Sequence, residues 1–331
     1  METIPLDLKK CARHGFERAD EELPTLSLYG WAMNHLDHEP QEWNESVIHL
    51  SDYRHFLEPE DGACERQLWH RLRGDERKPP TLWERVMWDQ GFAMQIRFSW
   101  LICKGLPKAW SLHHVEMDVS VGLPGTDTGS CDLVLKNKKS RRMMGIEFKT
   151  QRGRAFSYLN EPKPSHRLQA EAETYALENI HAPRYTIHHA LMYLDREGQN
   201  APRVFPTSLD NSSRKRVEEA SRFVNILAEE TRLPEMRDTP PETLDPQIKV
   251  RQNKGPNSIY LEEPWMCSYC EFKNEACPGA LNDELIGNGI VGKGDHEGDF
   301  DLKVYNDDPE MGEKIRDAIR KATRKGNVRF K

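Results

Sequence analysis

Three runs of alternating apolar and polar residues, crowded between residues 110 and 150, constrain this chain most. In WSLHHVEMDVSV (110–121), Val115, Met117, Val119 and Val121 fall on one side and His114, Glu116, Asp118 and Ser120 on the other. A period of two is that of a half-buried β-strand. CDLVL and MGIEFKT repeat the pattern, with LPGTDTG as a turn and KNKKSRR (136–142) as a tight basic loop. Together they predict an antiparallel meander. Before it, CERQLWHRLRG carries Leu68, Trp69 and Leu72 as a short helical stripe that stops at Gly74. Thr81 and Glu84 then form a capping box opening a long apolar helix that runs to Cys103 and ends at Gly105 and Pro107. After the meander come a helix over about 163–180, a fourth strand in YTIHHALMYLD (185–195), and a helix over 213–232 with Val217, Ala220, Phe223, Ile226 and Leu227 on one side. Five prolines from Pro234 to Pro256 predict an irregular crossover. This order predicts an α/β fold, a mixed sheet flanked by helices, without the regular alternation of a doubly wound parallel sheet.

The bulk numbers narrow the partners. A net charge of −7 over 331 residues excludes a protein coated in basic surface, so any nucleic-acid site is a local basic patch. No apolar run approaches the ~18–20 residues that span a bilayer. METIPLDLKKCARHG has no apolar signal core. The expectation is a cytoplasmic protein, or a phage-encoded one acting in a host cytoplasm, with no membrane partner. Seven cysteines, an odd count in a chain read as cytoplasmic, argue against disulfides. Three of them fall within eleven residues, as Cys267-x2-Cys270-x6-Cys277, which favours a bound metal or cluster.

The third strand sets Glu147 and Lys149 on the face opposite Ile146 and Phe148, and Asp132 begins the second strand. Adjacent strands lie about 4.8 Å apart, so the hairpin brings Asp132 beside Glu147. Two converging carboxylates with main-chain carbonyls suit Mg²⁺ or Mn²⁺, and an ammonium two residues along can orient or deprotonate water and neutralise charge on a phosphate. Read from the residues alone, a solvated charge pair fits the spacing as well.

Gly129-x-x-Asp132, the hairpin and Glu147-Phe148-Lys149-Thr150 resemble the PD-(D/E)XK nuclease superfamily, in its RecB-like branch; Cys131 stands where the superfamily name has proline. The resemblance implies a restriction-endonuclease-like core in which Asp132, Glu147 and the carbonyl of Phe148 bind metal and Lys149 serves the attacking water. It also implies roles for Gln169 and Tyr175 on the following helix, six residues apart where the family has four. Gln95, in GFAMQ, stands where the family has a metal-binding histidine. The cysteine trio, with Cys64 and Arg66 as an upstream C-x-R, is similar to the iron–sulfur members of that branch, including CRISPR-associated exonucleases and AddB-type nuclease domains. This implies a [4Fe–4S] lobe held by Cys64, Cys267, Cys270 and Cys277, closing a loop of roughly 200 residues. Zinc is the alternative occupant. Cys11, Cys103 and Cys131 are read as free thiols, and the His113–His114 and His188–His189 pairs as ordinary strand residues.

For DNA, the basic loop offers Lys136, Lys138, Lys139, Arg141 and Arg142, with Arg152 and Arg154 close behind. The expected organisation is an extension over residues 1–50, the nuclease domain with its cluster over 51–280, and a tail over 281–331 ending in the basic run EKIRDAIRKATRK. The expected activity is metal-dependent hydrolysis of DNA, most naturally by an exonuclease on single-stranded ends in recombination, repair, replication or CRISPR adaptation, with a helicase, recombination or adaptation protein as partner. The alternative is a DNA-binding scaffold subunit without turnover.

Overall fold

The computed structural model describes residues 47–58, 61–121, 128–233, 240–241, 247–251, 258–262, 265–268, 270–273 and 275–277. Nearly all of the expected N-terminal extension, most of the LPGTDTG turn, and the tail with its basic run lie outside the described residues. The chain divides into two compact units, one of residues 1–63, 71–73 and 80–238, the other of residues 64–70, 74–79 and 239–331.

The first unit is built on a five-stranded sheet in the order β1 (Ser111–Ser120), β2 (Thr128–Asn137), β3 (Arg142–Gln151), β4 (Thr186–Asp195), β5 (Arg203–Thr207). β1, β2 and β3 pair antiparallel as the alternation predicts, β3 and β4 pair parallel over their full length, and β5 returns antiparallel along β4. A parallel pair needs a crossover between its strands. Here it is a short helix (Gly153–Ser157) and a long one (Pro164–His181), while a helix over Leu82–Gly105 precedes the sheet and one over Asn211–Glu230 follows it. Numbered in chain order together with Glu65–Arg73, most of which belongs to the second unit, these α-helices are α1 (Glu65–Arg73), α2 (Leu82–Gly105), α3 (Gly153–Ser157), α4 (Pro164–His181) and α5 (Asn211–Glu230). This is the mixed α/β sheet with flanking helices expected of a restriction-endonuclease-like core.

The two faces of the sheet carry different chemistry. Leu133, Leu135, Met144, Ile146, Phe148 and Met192 pack with Trp100, Leu101 and Ile102 of α2 in one apolar cluster. Because successive strand residues point to opposite faces, Asp132 and Glu147 project from the other side, where α4 lies. The predicted capping box is formed: Glu84 N–H donates to Thr81 Oγ1 at 3.3 Å and Thr81 N–H to Glu84 Oε2 at 2.7 Å. β1 is irregular twice, slipping register at His113 and holding Glu116 in the left-handed region at φ +49°. β5 carries Pro206 opposite Ala190.

In the second unit, β6 (Gln247–Arg251) lies within the stretch from Pro234 to Pro256 expected to be irregular and pairs antiparallel with β7 (Ser258–Glu262) just beyond it, and a short helix, α6 (Trp265–Ser268), follows. Its cysteine segment is shaped by main-chain bonds: Cys270 N–H donates to the Cys267 carbonyl at 3.3 Å and Cys277 N–H to the Phe272 carbonyl at 2.9 Å. Cys64, at the mouth of α1, belongs to the same unit. The His70 ring stacks on Phe272 with centroids 5.5 Å apart.

Candidate metal-dependent active site

The register of the hairpin sets the site. Leu133 pairs with Ile146, so the next step places Asp132 across from Glu147. Asp132 Oδ2 accepts the main-chain N–H of Phe148 at 2.6 Å, which ties the carboxylate to the third strand. Lys149 Nζ donates to Glu147 Oε1 at 2.6 Å and to Gln169 Oε1 on α4 at 2.8 Å. Gln169 Nε2 donates back to Glu147 Oε1 at 2.9 Å. Thus Asp132, Glu147, Lys149 and Gln169 are brought together, from segments up to 37 residues apart.

Two carboxylates at this site were not singled out from sequence. Glu116 stands across β1 from Asp132, because its neighbours Val115 and Met117 pair with Leu133 and Cys131. It accepts from Gln95 Nε2 at 2.6 Å and from the Ser130 hydroxyl. Gln95 therefore reaches the site through Glu116, with its amide nitrogen turned to that carboxylate. Glu173, one turn beyond Gln169 on α4, accepts from Gln169 Nε2 at 2.9 Å and meets His189 Nε2 at 3.0 Å. Its signal was the spacing itself: residues four apart share a helix face. Tyr175, six along, is not brought to the site; its hydroxyl donates to Glu218 on α5 at 3.2 Å.

The carboxyl groups of Glu147, Asp132 and Glu173 act on the Lys149 ammonium, and Glu116 acts on Asp132 and Glu173. Burial pushes the Asp132 carboxyl well up, reinforced by the charges of Glu147 and Glu116. Burial raises Glu116 against the hydrogen bonds from Ser130 and Gln95, and raises Glu173 well above its ordinary value. Burial would lower the Lys149 ammonium, but Glu147, followed by Asp132 and Glu173, outweighs it and the group is raised. Glu147 Oε2 is buried with no hydrogen-bond partner. A buried carboxylate oxygen without a partner costs free energy that a cation removes, so this donor set fits a hard divalent ion.

The rim adds positive charge. His166 is pushed down to about 2, first by burial and then by the charges of Lys149, Lys163 and Arg54 around it. The expected DNA-contacting residues divide in two. Arg152 and Arg154 follow the end of β3 beyond Lys149. Lys138, Lys139, Arg141 and Arg142 sit at the hairpin tip, five residues and hence about 17 Å or more along the strand from Glu147. Lys136 is engaged with His113 Nδ1 at 3.0 Å.

Among the cysteines, burial raises the thiols of Cys64 and Cys270, and each also feels Cys277. Cys64, Cys270 and Cys277 are thus within electrostatic reach of one another in the second unit, with Cys270 N–H bonded to the Cys267 carbonyl, and the group of ligand atoms lying within 4.8 Å of one another among the described residues is instead Cys131, Glu173 and His189. Cys103 and Cys131 are buried thiols in the first unit.

No family model matches the chain, and no curated protein matches it. Among solved structures, the crystal structure of SSO0001 aligns with 79% of this chain and 99% of its own at 18% identity and a TM-score of 0.35. An alkaline exonuclease, LHK-Exo from Laribacter hongkongensis, aligns over 56% of this chain and 92% of its own at 11% identity and a TM-score of 0.35. Among the described residues no helix is long and apolar enough to cross a membrane.

Proposed function

We propose that this chain is a divalent-metal-dependent DNA nuclease of the restriction-endonuclease-like kind. The observation that carries the reading is the convergence of Asp132, Glu147 and Lys149, with Glu147 Oε2 buried and unpaired. Mg²⁺ or Mn²⁺ would be held by Asp132, Glu147 and the Phe148 carbonyl, with Glu116 as a further carboxylate. When bound, such an ion lowers the pKa of water and offsets charge gathering on a phosphate. The chain's own part is then positional. Lys149, held between Glu147 and Gln169, places an ammonium where the phosphate and the attacking water meet, and moves or holds a proton at Nζ. Gln169 fixes Lys149 from the helix side. Arg152, Arg154, Arg54 and Lys163 supply phosphate contacts beside the site, and the hairpin tip supplies a second, more distant patch. Exonucleolytic action on single-stranded ends is the preferred mode, and a helicase or recombination protein the preferred partner class.

A second reading, a DNA-binding scaffold, is favoured by one observation: Gln95 turns its amide nitrogen to Glu116, so it occupies an oxygen of that carboxylate and adds no ligand of its own. Labelled oligonucleotides, single- and double-stranded, incubated with Mn²⁺ separate the two. The nuclease reading expects cleavage that requires the ion and falls by roughly 10²–10⁴-fold in Lys149→Ala. DNA retention without metal-dependent cleavage in either protein would replace it with the scaffold.

For the second unit we propose a [4Fe–4S] cluster on Cys64, Cys267, Cys270 and Cys277, with zinc as the alternative. Anaerobic purification with elemental analysis decides it: about four irons per chain, lost in Cys277→Ser, is the expected result, and one zinc with no iron overturns it.

A further inference from the structure

Behind Lys149 and Gln169 lies a group of fully buried polar side chains that the proposed chemistry does not use: Glu173, His189 and Cys131. Resting on the nuclease reading, we infer that Glu173, steadied by His189, is a positioning residue that aims the Gln169 carbonyl at the Lys149 ammonium.

Gln169 presents two N–H donors on one side and a carbonyl oxygen on the other. Its nitrogen donates to Glu147 Oε1 and to Glu173 Oε1, both at 2.9 Å, and its oxygen accepts from Lys149 Nζ at 2.8 Å. Turned over, the carbonyl would face two carboxylates and the NH₂ would face an ammonium, so all three contacts become repulsive. Glu147 alone leaves the second N–H free to swing. Glu173 occupies it and makes the orientation single-valued. Glu173 is itself held, since its other oxygen meets His189 Nε2 at 3.0 Å. Burial keeps the His189 ring neutral, with its pKa down to about 3, so the ring shares one proton with the carboxylate through Nε2. It cannot drift: the Cys131 sulfur lies 3.8 Å away, and a methyl group on Gly145 would stand 2.5 Å from His189 Cδ2. A carboxylate at 0% exposure is expensive to bury, and an apolar side chain of similar length would fill its place at lower cost. Its visible output is the orientation of one amide.

The test is a double-mutant cycle between Gln169→Leu and Glu173→Met in the full chain, read as single-turnover cleavage of a labelled oligonucleotide with Mn²⁺. Glu173→Met should lower kcat by roughly 10- to 100-fold with KM within about twofold, the scale of a misplaced catalytic group. It should add nothing further in the Gln169→Leu background. Glu173→Gln, which still offers Gln169 an acceptor, should restore most of the rate. If Glu173→Met does not fold, His189→Gln carries the same comparison. Independent losses that multiply across the cycle, or a fall confined to KM, would overturn the inference. So would a metal equivalent lost with Cys131→Ser but kept in Glu147→Gln, because Glu173 would then be a ligand. Should the parent protein cleave nothing, the nuclease reading fails on its own, and amine labelling followed by mass spectrometry still decides this one. Lys149 should label several-fold faster in Glu173→Met than in the parent while Lys136 is unchanged; equal Lys149 rates refute the positioning.

Discussion

Glu116 holds a left-handed backbone, at φ +49°, in the middle of a strand. For a residue with a Cβ this costs on the order of 1–2 kcal/mol, and its carboxyl is buried among like charges besides. Both terms weigh against the fold and both are relieved by one substitution. Glu116→Gly should therefore raise the urea midpoint of the metal-free protein while lowering metal-dependent cleavage by about tenfold or more; a protein that gains stability and keeps its rate would remove Glu116 from the site. Gly145 makes the opposite case. A Cβ there meets His189 Cδ2 at 2.5 Å, Leu177 Cδ1 at 2.9 Å and the Cys131 sulfur at 3.2 Å, all in packed interior. Gly145→Ala should cost about 1–3 kcal/mol in urea unfolding. These residues also mark what the sequence made legible. Strand period and hairpin length put Asp132, Glu147 and Lys149 on one face, but the residues alone fitted a solvated charge pair as well, and it was the resemblance that singled them out. Glu116 was not singled out, because a carboxylate on the polar side of a strand looks solvated until the neighbouring strands are known. His189 read as an ordinary strand residue for the same reason.

At the scale of elements, α4 is the piece whose surroundings differ most from its sequence. QAEAETY carries two glutamates within three residues, and Glu171 and Glu173 are both buried. Glu173 faces the sheet. Glu171 faces α5, where Arg216 grips it with Nη2 at 2.6 Å from Oε1 and 2.7 Å from Oε2. Removing Arg216 leaves a buried anion without its cation, so Arg216→Ala should cost roughly 1–3 kcal/mol, seen as a lower urea midpoint, with cleavage by the folded fraction unchanged. Tyr175 points the same way, toward Glu218 of α5. Tyr175→Phe should leave the cleavage rate within about twofold, against the role its position after Gln169 first implied. Other elements escaped sequence reading for plainer reasons. β5 is five residues long and contains a proline, and β6 and β7 lie in a proline-rich stretch, so neither shows a period long enough to count. Long, strongly patterned segments fared better: β1 to β4, α2 with its cap and α4 fall where their periodicity put them.

At the scale of the molecule, two sets of buried groups pull stability in opposite directions with pH. His166 and His113 are held neutral, down to about 2 and about 4. A lowered folded pKa gives stability that is whole above the unfolded value near 6.5 and is lost as the pH falls below it. Asp132, Glu116 and Glu173 are raised. Their contribution is whole below the ordinary carboxyl range and is lost as the pH rises through the folded values. A divalent ion held by Asp132 and Glu116 offsets their part of the second loss and leaves the first. Mn²⁺ should thus raise Tm more at about pH 8 than at about pH 5, the shift at pH 8 amounting to ~2.7 kcal/mol when the ion is in hundredfold excess over its Kd there; an equal shift at both pH values, or none, would speak against carboxylate ligation. One further property follows from the irregularities of the outer strands. β1 is broken by a slipped residue at His113 and again at Glu116, and β5 by Pro206, so neither rim of the sheet presents an unbroken ladder of donors and acceptors. Such rims resist being extended by a stranger's backbone. The distortion that aims a carboxylate inward thus also keeps neighbouring copies from zipping on from outside.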